Sequence, residues 1–428
     1  MKNLLKSIVV TILTIEARLV LLKYDPKIIA VTGSVGKTST KDAIYTMLSN
    51  GHYVRKSQKS FNSELGVPLT ILGLPNAWSS LSGWLGNILE GLHLLFSRNE
   101  YPEWLVLEVG ADRPGDIRRL HWLKPHIAVY TRFPDVPVHV EFFESPEQVI
   151  AEKRELGKAL RPQGTLIVNA DDPKMVNETL QEGQNVISYG FAEGAVVRGM
   201  DSRVHYEQNM PNGMDCTVSF QAETHQVVLQ QALGTQHLYS LLAALAVAAA
   251  EGLKLETSIA ALAEHRVPPG RMHLIDGING SVIVDDTYNA SPVAVEAGLN
   301  TLTSMHVPGR KIVVLGDMME LGDYSVAEHK KVGEHVAMMA NYFVAVGVRM
   351  RAAAESAQAT THQCERIEAV QDTAEATTLL RETLSEGDVV LVKGSQSVRM
   401  EKIVANIMRN PAAAPTELVR QEEEWQKR

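Results

Sequence analysis

The chain has 428 residues, 45% of them hydrophobic and 21% charged, with a net charge of −9. That length is enough for two or three domains with cores of their own. The acidic balance, without a dense basic patch, argues against nucleic acid as a partner. The two cysteines, Cys216 and Cys364, lie far apart and outside any metal-ligand spacing, which points to a reducing, cytoplasmic compartment.

The first segment, "LLKSIVVTILTIEARLVLLKY", is apolar but interrupted by Lys6, Glu16 and Arg18, so no stretch reaches the roughly 20 residues a spanning helix needs. It reads as an amphipathic helix over residues 1–27, packed on the protein body or docked as a peripheral contact on the inner membrane surface. The run "KIIAVTGSVGKTST" follows, a buried strand, a glycine turn and a helix start. Gly33 and Gly36 let the backbone bend, and N–H groups at a helix start favour anions. Lys37 can reach terminal phosphates and the Thr38 hydroxyl is placed for Mg²⁺. Val31 stands where the standard phosphate loop has its first glycine, so the turn alone also fits an ordinary strand–turn–helix corner.

Residues 75–103 contain a helix whose Trp84, Ile88, Leu92, Leu95 and Phe96 share one face, a packed helix or an exposed patch. Glu108 closes the strand "WLVLEV", where α/β folds bind ligands and where a carboxylate needs a partner such as Mg²⁺. His139 in "VPVHVEFF" is ambiguous between a core histidine and a ligand. "SPEQVIAEKREL" starts with a capping box at Ser145, Pro146 and Gln148. Val149, Lys153, Leu156 and Leu160 then share one face, apolar except for the lysine, which either snorkels outward or is buried for a reason.

Strand-like runs "HIAVYT", "TLIVN", "SVIVD", "KIVVL", "NYFVAV" and "DVVLV" alternate with helical stretches, the signature of an α/β fold with mainly parallel sheets. Residues 186–230 alternate polar and apolar positions, a small antiparallel portion. "HRVPPGRMH" at 265–273 marks the domain boundary, dividing a unit over 28–267 from a second over 268–410, with 411–428 a loose polar tail that carries one or two polar helical turns. In the second unit "VDDTYNASP" gathers Asp286, Tyr288 and Asn289 on one loop. "LVKGSQSVRMEKIV" repeats the strand–glycine–helix design, with Lys393 and Ser395 at a strand end and helix start.

In this order, "TGSVGKTST", "SFNSELGVPLTIL", "LEVGADRPGDI", "HVEFFESPEQVIAEKREL", "VNADDP", "PPGRMHLID", "VDDTYNASP", "VVLGDMMELG" and "LVKGSQSVRMEKIV" resemble the Mur ligase family, most closely its MurF type. The resemblance implies a phosphate-loop central domain followed by a Rossmann-like C-terminal α/β domain. It implies an ATP-dependent amide ligase, working through an acyl phosphate, that adds D-Ala-D-Ala or a similar amine to a muramyl-peptide precursor in peptidoglycan synthesis. The cofactors would be ATP and Mg²⁺, the partners small molecules, and the enzyme a monomer. On that resemblance Gly33, Ser34, Gly36, Lys37, Thr38 and Ser39 hold the phosphates. Thr38, Glu108, His139 and a carbamylated Lys153 meet metal, with Lys37, His139 and Lys153 catalytic. Arg271, Asp286, Tyr288 and Asn289 bind ATP from the C-terminal domain, and Lys393 and Ser395 face the incoming amine.

Three departures accompany the resemblance. MurF enzymes carry an N-terminal domain that grips the UDP-sugar, and with only residues 1–27 ahead of the core that domain is expected to be absent. The adenine-binding H-N-x-x-N helix start reads "HLYSL", with Leu238 and Leu241 in place of the asparagines. Arg132 and Ser63 also replace asparagines of neighbouring motifs. Two alternatives stand beside this reading: a related ligase for another acidic acceptor, and a nucleotide-binding scaffold without catalysis.

Overall fold

Two β-sheets organise the chain. The computed structural model describes residues 2–58, 61–77, 80–133, 142–175, 183–221, 223–319, 321–360, 364–422 and 425, and of residues 2–6 and 146 the backbone alone. One compact unit comprises Met1–Asp201, Cys216–Val227 and Leu238–His265; the other comprises Ser202–Asp215, Val228–His237 and Arg266–Arg428.

The first sheet contains β1 (Lys27–Thr32), β2 (Val54–Lys56), β3 (Trp104–Glu108), β4 (Ile127–Tyr130), β5 (Thr165–Asn169), β6 (Asn185–Gly190), β7 (Val197–Glu207), β8 (Met210–Phe220) and β9 (Glu223–Gln230), in the order β2-β3-β1-β4-β5-β6-β7-β8-β9. β1 pairs in parallel with β3 and β4, and the register sets Val31 beside Glu108. The central strands are buried on both faces, hence their continuous Val, Ile and Leu runs. β7 and β8 are joined through Gln208 and Asn209, both at positive φ, the backbone that a two-residue hairpin demands.

The helices of this part are α1 (Lys2–Tyr24), α2 (Lys37–Ser49), α3 (Gly66–Leu72), α4 (Leu81–Phe96), α5 (Pro146–Lys158), α6 (Thr235–Ala250) and α7 (Leu255–Leu262). α1 buries Leu13, Ala17 and Val20, at i, i+4 and i+7, in the same core as β1 and β3. Among the described residues no helix is long and apolar enough to cross a membrane. α4 divides between the two expected outcomes: Trp84, Ile88 and Leu95 lie against the core, whereas Leu92 and Phe96 are exposed. A helix with apolar residues on most of its circumference cannot bury them all against one neighbour.

The second sheet has the order β10-β11-β15-β12-β13-β14, formed by β10 (His273–Asp276), β11 (Val282–Asp286), β12 (Lys311–Gly316), β13 (Tyr342–Val346), β14 (Arg366–Val370) and β15 (Val389–Lys393). All pairs are parallel except the β10–β11 hairpin. Around it lie α8 (Pro292–Ser304), α9 (Ser325–Met339), α10 (Arg351–Ala359), α11 (Thr373–Thr383), α12 (Glu401–Ile407) and α13 (Ala414–Glu417).

Two expectations are corrected in this unit. No helix starts at Ser395: a short 3-10 turn, Gln396–Val398, ends at Arg399 in the left-handed region (φ 62°), and α12 begins only at Glu401. The tail is not loose through residue 421. Leu418 is buried, and Arg420 donates to the carbonyls of Thr287 (2.5 Å) and Tyr288 (3.0 Å) and to Glu401 (2.7 Å). One buried leucine and one arginine with three acceptors anchor a segment whose composition reads as solvated.

Candidate active site

The loop Gly33–Gly36 links the buried end of β1 to α2. Gly36 is the N-cap of α2 at φ 87°, and Gly33 lies so close to Thr131 that an added Cβ would overlap its hydroxyl. Both positions therefore need glycine. The N–H of Ser34 donates to the Arg132 carbonyl at 2.9 Å, which fixes the loop to the strand beside it. Lys37 Nζ donates to the Gly33 carbonyl at 2.9 Å, folded back over the loop. Ser39 is buried within α2.

The β1–β3 register carries Glu108 to this turn. Thr38 Oγ1 donates to Glu108 Oε2 at 3.0 Å, and Asn62 Nδ2 donates to Oε1 at 3.4 Å. Buried Lys41 holds its ammonium 3.7 Å from the same Oε2 and 3.6 Å from Asp42. Lys41 and Asn62 were invisible as site residues in the sequence, although Lys41, one helical turn after Lys37, is a lysine on the buried side of α2. The oxygens of Thr38 and Glu108 are hard donors at one point, the kind Mg²⁺ takes. Among the described residues no three His, Cys, Asp or Glu side chains form a metal cluster; His139 lies outside the described residues.

Lys153 is buried, not snorkelled. Its Nζ donates to Ser34 Oγ at 2.9 Å and to the Gly33 carbonyl at 3.2 Å. Burial, seconded by the charge of Lys37, brings the amine down to about 7, opposed weakly by Asp112. α5 is held in place one residue earlier: Glu152 accepts the N–H groups of Gly115 (2.9 Å), Ile117 (2.8 Å) and Arg118 (3.2 Å).

The second unit has a cluster of its own. Lys393, at the end of β15, pairs with Asp286 Oδ2 at 2.7 Å and donates to the Asn289 carbonyl at 2.8 Å. Burial raises the Asp286 carboxyl and Lys393 opposes that rise. Asp285, unmarked by the sequence reading, accepts from Gly270 N–H (3.1 Å) and from the Thr287 hydroxyl (2.6 Å) and N–H (3.2 Å). Burial pushes its carboxyl up to about 7. The Arg271 guanidinium lies 4.3 Å over the Tyr288 ring. Ser395 accepts the Met319 N–H at 2.9 Å and belongs to the loop packing.

These features have counterparts in known proteins. The Mur ligase middle domain matches residues 31–82 and 85–248, and the Mur ligase, glutamate ligase domain matches residues 270–396. The chain belongs to the Mur ligase family. Among its relatives, the UDP-N-acetylmuramoyl-tripeptide–D-alanyl-D-alanine ligase of Bacillus subtilis is 28% identical over 92% of this chain and 79% of that protein. The ligase of the same name from Mycobacterium tuberculosis is 31% identical over 86% of this chain and 70% of that protein. Crystal structures of MurF from Acinetobacter baumannii (TM-score 0.75, 27% identity) and, with ADP, from Thermotoga maritima (TM-score 0.72, 28% identity) superpose on 93% of this chain. They are covered over 80% and 83% of their own length.

As a Mur ligase the chain is an ATP-dependent ligase of the MurF-like branch, acting in peptidoglycan synthesis on small molecules. Its departures from the family pattern have structural consequences. Leu238 and Leu241 are fully buried in α6, so their side chains pack the core where asparagines would be polar contacts. Arg132 serves the loop through its backbone carbonyl, which any residue supplies, and Ser63 is exposed at the start of the α3 segment.

Proposed function

We propose that this Mur ligase joins a carboxyl-bearing muramyl-peptide precursor to D-Ala-D-Ala or a similar amine through an acyl phosphate. The observation that carries the reading is the convergence of Thr38, Glu108 and Lys153 on the Gly33–Gly36 turn. In the first half-reaction a substrate carboxylate oxygen attacks the terminal phosphorus of ATP and ADP leaves. In the second the amine attacks the acyl carbon, and the tetrahedral intermediate expels phosphate as the amide forms.

Lys37 and the N–H groups at the α2 start would offset the charge that spreads over the transferring phosphoryl oxygens. Thr38 and Glu108, with His139, would hold Mg²⁺, which supplies Lewis-acid charge stabilisation when bound. Lys41, close to the Glu108 carboxylate, would keep that side chain aimed at the turn. A neutral Lys153 amine is the form that adds to carbon dioxide, making an N–C bond and releasing a proton. The resulting carbamate would give the turn an additional anionic oxygen ligand. In the second unit, Arg271, Tyr288 and Asn289 would provide nucleotide contacts, and the Lys393–Asp286 pair would shape the loop that receives the amine.

The test is phosphate release from ATP and Mg²⁺, with UDP-N-acetylmuramoyl-tripeptide and D-Ala-D-Ala supplied singly and together. Release that requires both, with the amide product seen by mass spectrometry, is the expected result. Release that ignores the pair removes this substrate assignment.

A further inference from the structure

α1 and α4 lie side by side and run in the same direction. Glu16 faces Gly91, and seven residues later Lys23 donates to the carbonyls of Leu94 (2.8 Å), Leu95 (3.0 Å) and Ser97 (2.5 Å), closing the C-terminus of α4. Their outward faces are apolar. On α1 the exposed Ile8, Ile15, Leu19 and Leu22 fall within about 60° of arc, and on α4 the exposed Leu81, Leu85, Leu89, Leu92 and Phe96 within about 80°. Leu22 is 81% and Phe96 86% exposed. Scattered apolar residues need no explanation, but two adjoining stripes mark an interaction surface.

Charge indicates what covers it. The α1 sequence carries Lys2, Lys6, Arg18 and Lys23 against a single acidic residue, Glu16, in a chain whose net charge is −9. Glu16 is itself buried, and neither carboxylate oxygen has a hydrogen-bond partner among the described residues. Burial raises its carboxyl to about 7, which further reduces negative charge on this helix. Leu22 opens onto a cavity of about 510 Å³ whose lining includes the cations Arg18, Lys124 and Arg161, together with His126, Trp122 and Asp25. An apolar stripe continuous with a cationic basin is the pattern of a helix that lies in a bilayer interface and meets anionic headgroups. A two-fold contact with a second copy would instead bring like charges together.

We propose that the α1–α4 face seats this ligase on the surface of an anionic bilayer, with the leucine and phenylalanine stripes in the headgroup boundary and Arg18, Lys124 and Arg161 toward lipid phosphates. The experiment is flotation of the full chain with vesicles of phosphatidylcholine alone and of phosphatidylcholine mixed with phosphatidylglycerol. The mixed vesicles should recover about tenfold more protein, and the preference should shrink in high salt. Leu89→Glu with Phe96→Glu should abolish recovery on both. Arg18→Glu with Lys124→Glu should cost about fivefold per residue on mixed vesicles and little on phosphatidylcholine. Every changed side chain is exposed, so thermal unfolding and phosphate release with soluble substrates should match the parent chain. Recovery on neither vesicle, or equal recovery of all variants, overturns the proposal. So does a dimer in lipid-free sedimentation velocity that Leu89→Glu with Phe96→Glu dissolves, because a second copy would then be the occupant.

Discussion

Lys37 and Lys393 hold similar places in the sequence, each where a buried parallel strand gives way to a glycine turn, yet the fold treats them differently. Lys37 opens a 13-residue helix, folds its ammonium onto a loop carbonyl that a phosphate oxygen can replace, and sits where backbone N–H groups gather. Lys393 is buried against Asp286, followed by a 3-10 turn and a left-handed residue before any helix begins. A strand–glycine–helix pattern thus indicates where a cation will stand, not whether its charge is offered to a ligand. In the first unit the ammonium serves an incoming anion. In the second the anion is already part of the chain.

The comparison is broken most directly at Lys37. Lys37→Ala should lower phosphate release by about 10³-fold or more while leaving thermal unfolding nearly unchanged, because the lost contacts form chiefly with the transferring group. Lys393→Met should first show in stability: leaving Asp286 buried without its partner should cost about 3–5 kcal/mol. Adding Asp286→Leu to Lys393→Met should recover part of that loss, read by thermal unfolding. If Lys393→Met instead keeps its stability and loses only activity, the two lysines are alike and the distinction fails.

Lys153 sharpens the contrast, being a buried lysine with hydroxyl and carbonyl partners in place of a carboxylate. Its amine, near 7 when folded, regains an ordinary value of 10.5 on unfolding. Between those values the unfolded chain binds more protons, so this group's contribution to stability rises with pH across that window. In bicarbonate-free buffer, Lys153→Met should therefore be more stable than the parent at pH 7, by on the order of 2 kcal/mol. The advantage should shrink toward pH 10. An advantage that does not change with pH would mean that the lysine is charged in the folded chain.

Much of this was legible in the residues. Continuous β-branched runs gave the buried strands, and the spacing of Val149, Leu156 and Leu160 marked Lys153 as an intruder on an apolar face. β2, with three residues, and β14, the polar edge strand "RIEAV", lack the apolar run that signals a strand, and β10 was not distinguished from the boundary segment. Lys41 and Asn62 stayed hidden because their roles depend on the register between distant strands, Val31 beside Glu108, and Asp285 because its partners are backbone and hydroxyl groups that carry no sequence signature. Local pattern cannot supply such pairings. The Arg420 anchor escaped because two of its three acceptors lie more than 130 residues earlier.

Glu16 gives the smallest effect and the strictest contrast with Asp286, since both are largely buried carboxyls and only one has a cation. In α1 the carboxyl meets Gly91, where the absence of a side chain leaves it room but no donor. Its folded value near 7 exceeds the ordinary 4.5, so between those values the folded chain binds more protons than the unfolded one. Its contribution is therefore fully present below pH 4.5 and is lost as pH rises through 7. Glu16→Gln removes that dependence while keeping the shape. It should match the parent near pH 4 and exceed it by about 1 kcal/mol at pH 8. Thermal unfolding of the two chains at both pH values checks this: a gap at pH 8 and none at pH 4 is the signature of a buried acid without a partner. A parent that is the more stable at pH 8 would mean that Glu16 is held as a carboxylate by a cation, as Asp286 is by Lys393.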